Sequence, residues 1–116
     1  PGVARRLDAG RQVTPASVAT ATEARALWQT QMAALFDRFD LLATPTLLIL
    51  PPTLERADDL LEGRCTVPVN FAGVPAVSLP VPARGALPAS LQLVAAPGRE
   101  EYLLAAAAAA ESAVAR

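Results

Sequence analysis

Helices together with strands of a sheet covered on both faces are predicted by three features of the 116-residue sequence. Val77 to Val81 and Leu91 to Ala95 are apolar on successive residues, the pattern of strands buried on both sides. Between Pro15 and about Phe39, apolar residues recur every three or four positions, which is helical spacing. Arg99 to about Val114 carries Glu100 and Glu101 in its first turn and six consecutive alanines from Ala105, and reads as a second long helix. The length allows one domain with a modest core.

Taken in order, Pro1 to Val13 contains ARRLDAG, read as the end of a helix stopped at Gly10. Thr14 followed by Pro15 is a start signal: a side-chain oxygen to cap, then a proline at the first helical position. The helix that follows has an apolar stripe of Ala21, Ala24, Trp28, Met32, Leu35, Phe36 and Phe39, opposite Glu23, Gln29, Thr30, Asp37 and Arg38. Such a stripe is core before it is a ligand pocket. LLATPT, ended by Pro45, reads as a fully buried strand inside the sheet. Leu47 to Leu54, interrupted by Pro51 and Pro52, reads as an irregular crossing.

The chain is organised around Thr66 to Pro80, TVPVNFAGVPAVSLP. Thr66 is placed to cap a short helix with Pro68 in its first turn, Gly73 to end it in a left-handed conformation, and Pro75 to Leu79 to begin the strand that runs to Val81. Asn70 is the one polar side chain from Val67 to Val77, and is expected to hydrogen-bond the backbone of a neighbouring segment. Arg84 to Pro88 is a turn, and Pro97 and Gly98 close the last strand. In the final helix Leu103, Leu104 and Val114 supply an apolar side for docking.

Composition excludes several function classes. The apolar fraction is 53% and mean hydropathy +0.33, high enough that part of the surface is expected to pack against something outside the chain. Net charge is −1, with ten arginines scattered except for the Arg5–Arg6 pair, so no basic stripe exists for nucleic acid. No apolar run approaches the ~20 residues of a membrane span, and the N-terminus lacks a signal-peptide pattern. A start at Pro1 suggests a segment of something longer. The single cysteine, Cys65, cannot form an internal disulfide, and a reducing cytoplasm is the simplest location.

The chain contains neither histidine nor lysine, so no Ser-His-Asp or Cys-His arrangement can assemble within it. A transition-metal site is not expected, and no glycine-rich phosphate loop is present, so no cofactor is expected. Cys65 has only Arg64 beside it to lower its pKa, and reads as a small buried side chain. Glu55, Asp58, Asp59 and Glu62 invite a paired-carboxylate reading for acid and base work. A solvated helical turn beside Arg56 and Arg64 is the favoured alternative.

In order and spacing, LLATPT, TVPVNFAGVPAVSLPV and LPASLQLVAAPGREEYLL resemble the C-terminal third of amidase signature enzymes. ARRLDAG, ARALW and FDLLATPT resemble the stretch just upstream, so the likeness covers nearly the whole chain. The resemblance implies an α/β fold with helices on a mixed β-sheet, residues 1–116 being the C-terminal segment of an incomplete single domain. It also implies an amide-hydrolysing parent whose Ser-Ser-Lys triad lies in the first half of the enzyme. Ser17, Ser78, Ser90 and Ser112 match no triad member, so no catalytic residue is assigned. Arg6 aligns with an arginine that binds the substrate carboxylate in the glutamine-using transamidase branch, although a bracing role for Arg6 is favoured. In that branch an aspartate stands three residues before the threonine of TxPxN, where this chain has Gly63. Ala89-Ser90 replaces the usual glycine before LQL, and AAPGRE resembles amidohydrolases of biuret-type ureides.

Three functions are therefore in competition. The first is the C-terminal portion of an amidase-signature hydrolase, contributing sheet and substrate-pocket wall; its partners are the rest of the amidase chain or a partner subunit, and a small-molecule amide. The second is a stand-alone remnant, non-catalytic, that binds a partner or forms a homodimer. The third is part of a glutamine-dependent transamidase A-type subunit. None calls for a nucleic acid or a membrane.

Overall fold

The computed structural model describes residues 2–50, 52–55, 63–83, 85 and 87–114, with only the backbone described for Arg5 and Arg6. Seven elements follow in order: α1 (Gly2–Gly10), α2 (Pro15–Phe36), β1 (Leu42–Pro45), α3 (Val67–Ala72), β2 (Ala76–Val81), β3 (Ala89–Val94) and α4 (Glu100–Val114). The three strands form a sheet in the order β1-β3-β2. Both pairings are antiparallel, with Leu42 and Ala76 opposite Val94 on either side. The α/β class read from the sequence is borne out, and every pairing among the described strands is antiparallel.

β3 is the middle strand, and its composition explains why it lacks alternation. Leu93 and Ala95 pack with Leu79, Leu103 and Ala107 under α4. Val94, between them, points to the other face and packs with Met32, Val69 and Ala72 from α2 and α3. Val94 and Ala95 are 1% and 0% exposed. Neighbouring residues point to opposite faces of a strand, so a strand with a helix layer on each side needs apolar residues at both.

The helices start and stop largely as read. The Thr14 hydroxyl accepts from the Ser17 amide at 3.1 Å and caps α2. Gly10 ends α1, and Gly73, at φ +74°, ends α3. Only the second half of α2 docks: Met32 is buried with Trp28 and Phe36 packed beside it, whereas Ala21 and Ala24 are exposed. In α4 the face toward the sheet is Leu103, Ala107 and Ala110, a spacing of four then three. Leu104, one residue and about 100° further round, is 62% exposed, and Val114 is exposed as well. The docking side of α4 is thus built mainly from alanine.

β1 departs from the expectation of a fully buried interior strand. It lies at the edge of the three-stranded sheet, and Ala43, Thr44 and Pro45 are exposed. Pro45 ends the strand from within instead of following it, a position open to proline because an edge strand has one side without a hydrogen-bond partner. Leu47 to Leu50 follow as an irregular, exposed apolar crossing. Arg84 and Ala86 of the β2–β3 turn lie outside the described residues.

The molecule is a slab of 51 × 42 × 18 Å with a radius of gyration of 17.2 Å. A compact chain of this length has a radius of roughly 13 Å. Its accessible surface is 8687 Å², whereas a self-contained monomer of this mass exposes roughly 6,000 Å². Among the described residues, 18 large apolar side chains are exposed against 9 buried hydrophobic ones. The apolar surplus read from composition therefore lies on the outside.

Candidate functional site

The organising stretch folds into a small platform around α3, held from both sides. Thr66 at its start adopts helical backbone angles, φ −97° and ψ −38°, and its side chain makes no capping bond. A turn leads into the helix instead: the amides of Thr66 and Val67 both donate to the Gly63 carbonyl, at 3.2 and 2.7 Å. A side chain at 63 would force a neighbour to move, because a Cβ there would stand 2.6 Å from Val67 Cγ2. At the other end the Gly73 amide donates to the carbonyls of Val69 and Asn70, both at 3.1 Å, in the left-handed conformation glycine adopts without strain.

Helix ends leave their last carbonyls unpaired, and here α2 supplies the donors. Arg25 Nε donates to the Phe71 carbonyl and Gln29 Nε2 to the Ala72 carbonyl, each at 2.9 Å, and Trp28 Nε1 adds a bond at 2.8 Å to the Pro68 carbonyl in the first turn. Positions 25, 28 and 29 share one helical face. Trp28 thus belongs to the packed stripe and also anchors the platform, while Gln29 leaves the polar face to which its spacing assigned it. The role foreseen for Asn70 is filled by these three residues: Asn70 is exposed, and its amide group has no hydrogen-bond partner among the described residues.

From the sheet side the tie is Gln92, the one buried polar residue among those described, 4% exposed. Its Nε2 donates to Thr44 Oγ1 and to the Cys65 carbonyl, each at 3.0 Å. β3 therefore fixes both β1 and the turn before α3. Between these parts lies a cleft of about 270 Å³ lined by Trp28, Met32, Thr44, Arg64, Cys65 and Pro68, among others. Cys65 is half-buried on its wall, not enclosed as its composition suggested. A second cleft of about 360 Å³ lies between Pro45, Leu47–Leu50 and Pro88–Ser90.

No arrangement for acid–base or nucleophilic work is brought together among the described residues. Ser17 pairs with the Thr14 hydroxyl at 2.9 Å, Ser78 with the Thr46 hydroxyl at 2.7 Å, and Ser112 Oγ donates to the Ala108 carbonyl at 2.9 Å. Of the four clustered carboxylates, Asp58, Asp59 and Glu62 lie outside the described residues. Glu55 is exposed, and hydrogen bonds from its own backbone amide and from Thr53 hold its carboxyl below the usual glutamate range. That direction makes it a poorer proton donor near neutrality. No group of potential metal ligands occurs among the described residues, and no helix among them is long and apolar enough to cross a membrane. Arg6 lies on α1, with its side chain outside the described residues.

Sequence spacing located α3, its glycine stop and the Trp28 stripe. It missed Arg25, Gln29 and Gln92 because their partners are backbone carbonyls 46, 43 and 27 residues away. The one available signal was a lone glutamine inside an apolar strand, since a polar residue at a buried position implies a fixed partner.

The arrangement has counterparts in known proteins. The amidase family model matches residues 1–104. The A-type subunit of glutamyl-tRNA(Gln) amidotransferase from Moorella thermoacetica is 41% identical over 96 residues, covering 75% of this chain and 19% of that protein. A bacterial aryl acylamidase of the amidase signature enzymes superposes with a TM-score of 0.79 at 28% identity, over 91% of this chain and 24% of the acylamidase. For 6-aminohexanoate cyclic dimer hydrolase the TM-score is 0.73 at 32% identity, over 90% and 26%. The chain spans about a fifth to a quarter of the length of these relatives. With the family pattern running through nearly all of its residues and its fold shared with these enzymes, the chain belongs to the amidase signature family, enzymes of carbon–nitrogen bond hydrolysis.

Proposed function

We propose that these residues are the C-terminal portion of an amidase-signature hydrolase and supply part of its sheet and one wall of its substrate pocket. The groups that attack the amide belong to the rest of the enzyme, since no lysine or histidine is available here. The observation that carries this reading is the excess surface: 8687 Å² exposed against roughly 6,000 Å² for a closed monomer. The difference exceeds the ~800 Å² that each partner gives to a standard interface, and suits a piece that packs into a larger body. The half-buried cleft beside Cys65 and the apolar cleft at Leu47–Leu50 are the surfaces that would face a small-molecule amide. Arg6 would brace α1 or hold a substrate carboxylate. The single thiol suits a cytoplasmic enzyme.

Amide hydrolysis by the purified 116 residues is the direct test. The expected result is no turnover of an anilide or primary-amide panel and no labelling by a serine-directed phosphonate. Both should appear once the chain is joined to the coding sequence preceding it. Turnover by the short chain alone would refute the reading.

A glutamine-dependent transamidase reading is favoured by the likeness to the A-type amidotransferase subunit. Against it stands Gly63, at the position where that branch carries an aspartate for the glutamine amino group. The 2.6 Å approach to Val67 Cγ2 leaves no room for a carboxylate-bearing side chain there without movement. Glutamine-dependent ammonia release by the complete enzyme at a rate matching its simple amidase activity would reverse this preference.

A further inference from the structure

We propose that the cleft where the end of α2 meets the turn between β3 and α4 is a binding site for a small free amino acid, a ligand and a place separate from the amide-hydrolysing role proposed above. The cleft measures about 160 Å³ and is lined by Phe36, Phe39, Asp40, Ala96 and Arg99. At roughly 30 Å³ of liquid volume per water it has room for about five water molecules, which is the scale of a small amino acid. Leu42 stands opposite Val94 and Pro45 opposite Leu91. Asp40 and Ala96 therefore lie beyond one end of the β1–β3 pair, and the Leu47–Leu50 cleft lies beyond the other.

Two opposite charges share this cleft without meeting. Asp40 and Arg99 form no ion pair, and among the described residues neither the Asp40 carboxylate nor the Arg99 guanidinium has a hydrogen-bond partner. Arg99 is drawn instead onto the ring of Tyr102, 4.7 Å from its centroid, a contact that restrains the side chain while leaving the N–H groups at its rim free to donate. Glu100, the next residue, does not take up the guanidinium, since its carboxylate accepts from the Gly98 amide at 3.4 Å. Backbone bonds fix both walls: the Phe39 amide donates to the Leu35 carbonyl at 2.9 Å, and the Arg99 amide to the Ala96 carbonyl at 3.2 Å.

Fixed charges of opposite sign select a molecule that carries both. The carboxylate of an amino acid would take the Arg99 fork, which suits two oxygens at once, and its ammonium group would face Asp40. Its carbon chain would lie against Phe36, half-buried beside Met32, and Phe39, 47% exposed. A single ion pair at an exposed site contributes little, but once one end of a short zwitterion is held the second pair forms at high effective concentration. A simple carboxylate or a simple amine gains only one of the two. Exposure of both charged residues places the expected affinity in the millimolar range.

Titration of the protein with L-alanine and with γ-aminobutyrate, which space their charges differently, tests this by calorimetry and by NMR at Phe39, Asp40 and Arg99. At least one of them should bind saturably, and at least about tenfold more tightly than propionate or propylamine, which carry one charge each. Asp40→Asn and Arg99→Gln, at unchanged urea midpoint, should each weaken that binding by at least about tenfold. The ligand comparison on the unaltered protein decides the matter even where a variant fails to fold. Propionate binding as well as the amino acids do overturns the zwitterion, and the absence of saturable binding, or binding that neither substitution weakens, overturns the site. Shifts at Asp40 and Arg99 that follow protein concentration and not ligand give the cleft to a second copy. Binding by the 116 residues that is lost in a longer enzyme containing them gives it to other residues of that enzyme, and either result overturns the amino acid as occupant.

Discussion

Trp28 donates its indole N–H to the Pro68 carbonyl at 2.8 Å, joining α2 to α3 across 40 residues of sequence. The ring fills the α2–α3 packing layer while its polar edge satisfies a backbone group, and the two roles can be separated by substitution. Trp28→Phe keeps most of the ring and removes the donor, and is expected to cost about 1–2 kcal/mol. Trp28→Ala should cost about 3–5 kcal/mol. Urea midpoints of the protein carrying each change would measure the difference; equal losses would contradict a separate part for the hydrogen bond.

Gln92 leads to a pH-dependent prediction. Gln92→Glu preserves size but, when ionised, cannot donate to the Cys65 carbonyl or the Thr44 hydroxyl, and burial disfavours its charge. Its folded pKa is therefore raised above the unfolded value. The variant should approach wild-type stability at pH below the unfolded glutamate value and fall progressively behind as pH rises through and beyond it. A stability gap that does not widen between pH 4 and 7, conditions on the order of the ordinary glutamate range and above it, would contradict the hydrogen bonds assigned to Gln92.

Gly63 should resist substitution for a steric reason. Gly63→Ala places a Cβ 2.6 Å from Val67 Cγ2, and is expected to cost about 1–3 kcal/mol. Val67→Ala removes the obstructing methyl groups. In a double-mutant cycle the second change should recover most of the first loss; additive losses would mean that the turn itself, and not Val67, forbids the larger residue.

Glu55 should titrate below an ordinary glutamate, because the Thr53 hydroxyl and its own amide bond the charged form. Thr53→Val should move its NMR midpoint upward. A depressed folded pKa contributes stability that is present above the unfolded value and lost as pH falls through the folded one. A midpoint at or above the ordinary value in the wild type would remove both bonds from consideration.

Local chemistry was legible in the sequence, and partnership was not. The Thr14-Pro15 start, the Gly73 stop and the doubly apolar LQLVA strand each act through neighbouring residues or through burial on both faces, and each was realised. Thr66 misled because its backbone is already helical, not in the extended conformation from which a side chain caps the second or third helical amide, and Pro68 has no amide to offer. Asn70 misled because an isolated polar residue signals a need for a partner without saying where the partner lies; its surroundings here are solvent. LLATPT has the composition of an interior strand and occupies an edge, a mismatch that follows if its second neighbour belongs to another part of the enzyme. The clefts could be foreseen only as apolar stretches, since their walls come from segments far apart in the chain.

The middle strand of the sheet is the last of the three to be made. β1 ends at Pro45, but its hydrogen-bonding neighbour is β3, completed at Val94, roughly fifty residues later. At the ribosome's pace of ~5–20 residues per second, β1 and the apolar Leu47–Leu50 run behind it wait several seconds for β3. The β2–β3 hairpin, by contrast, closes on itself within its own twenty or so residues. Newborn chains are accordingly most open to trigger-type chaperones, or to mispairing with one another, during that interval, and slowing translation after Leu50 should lower the soluble yield more than slowing it after Val94.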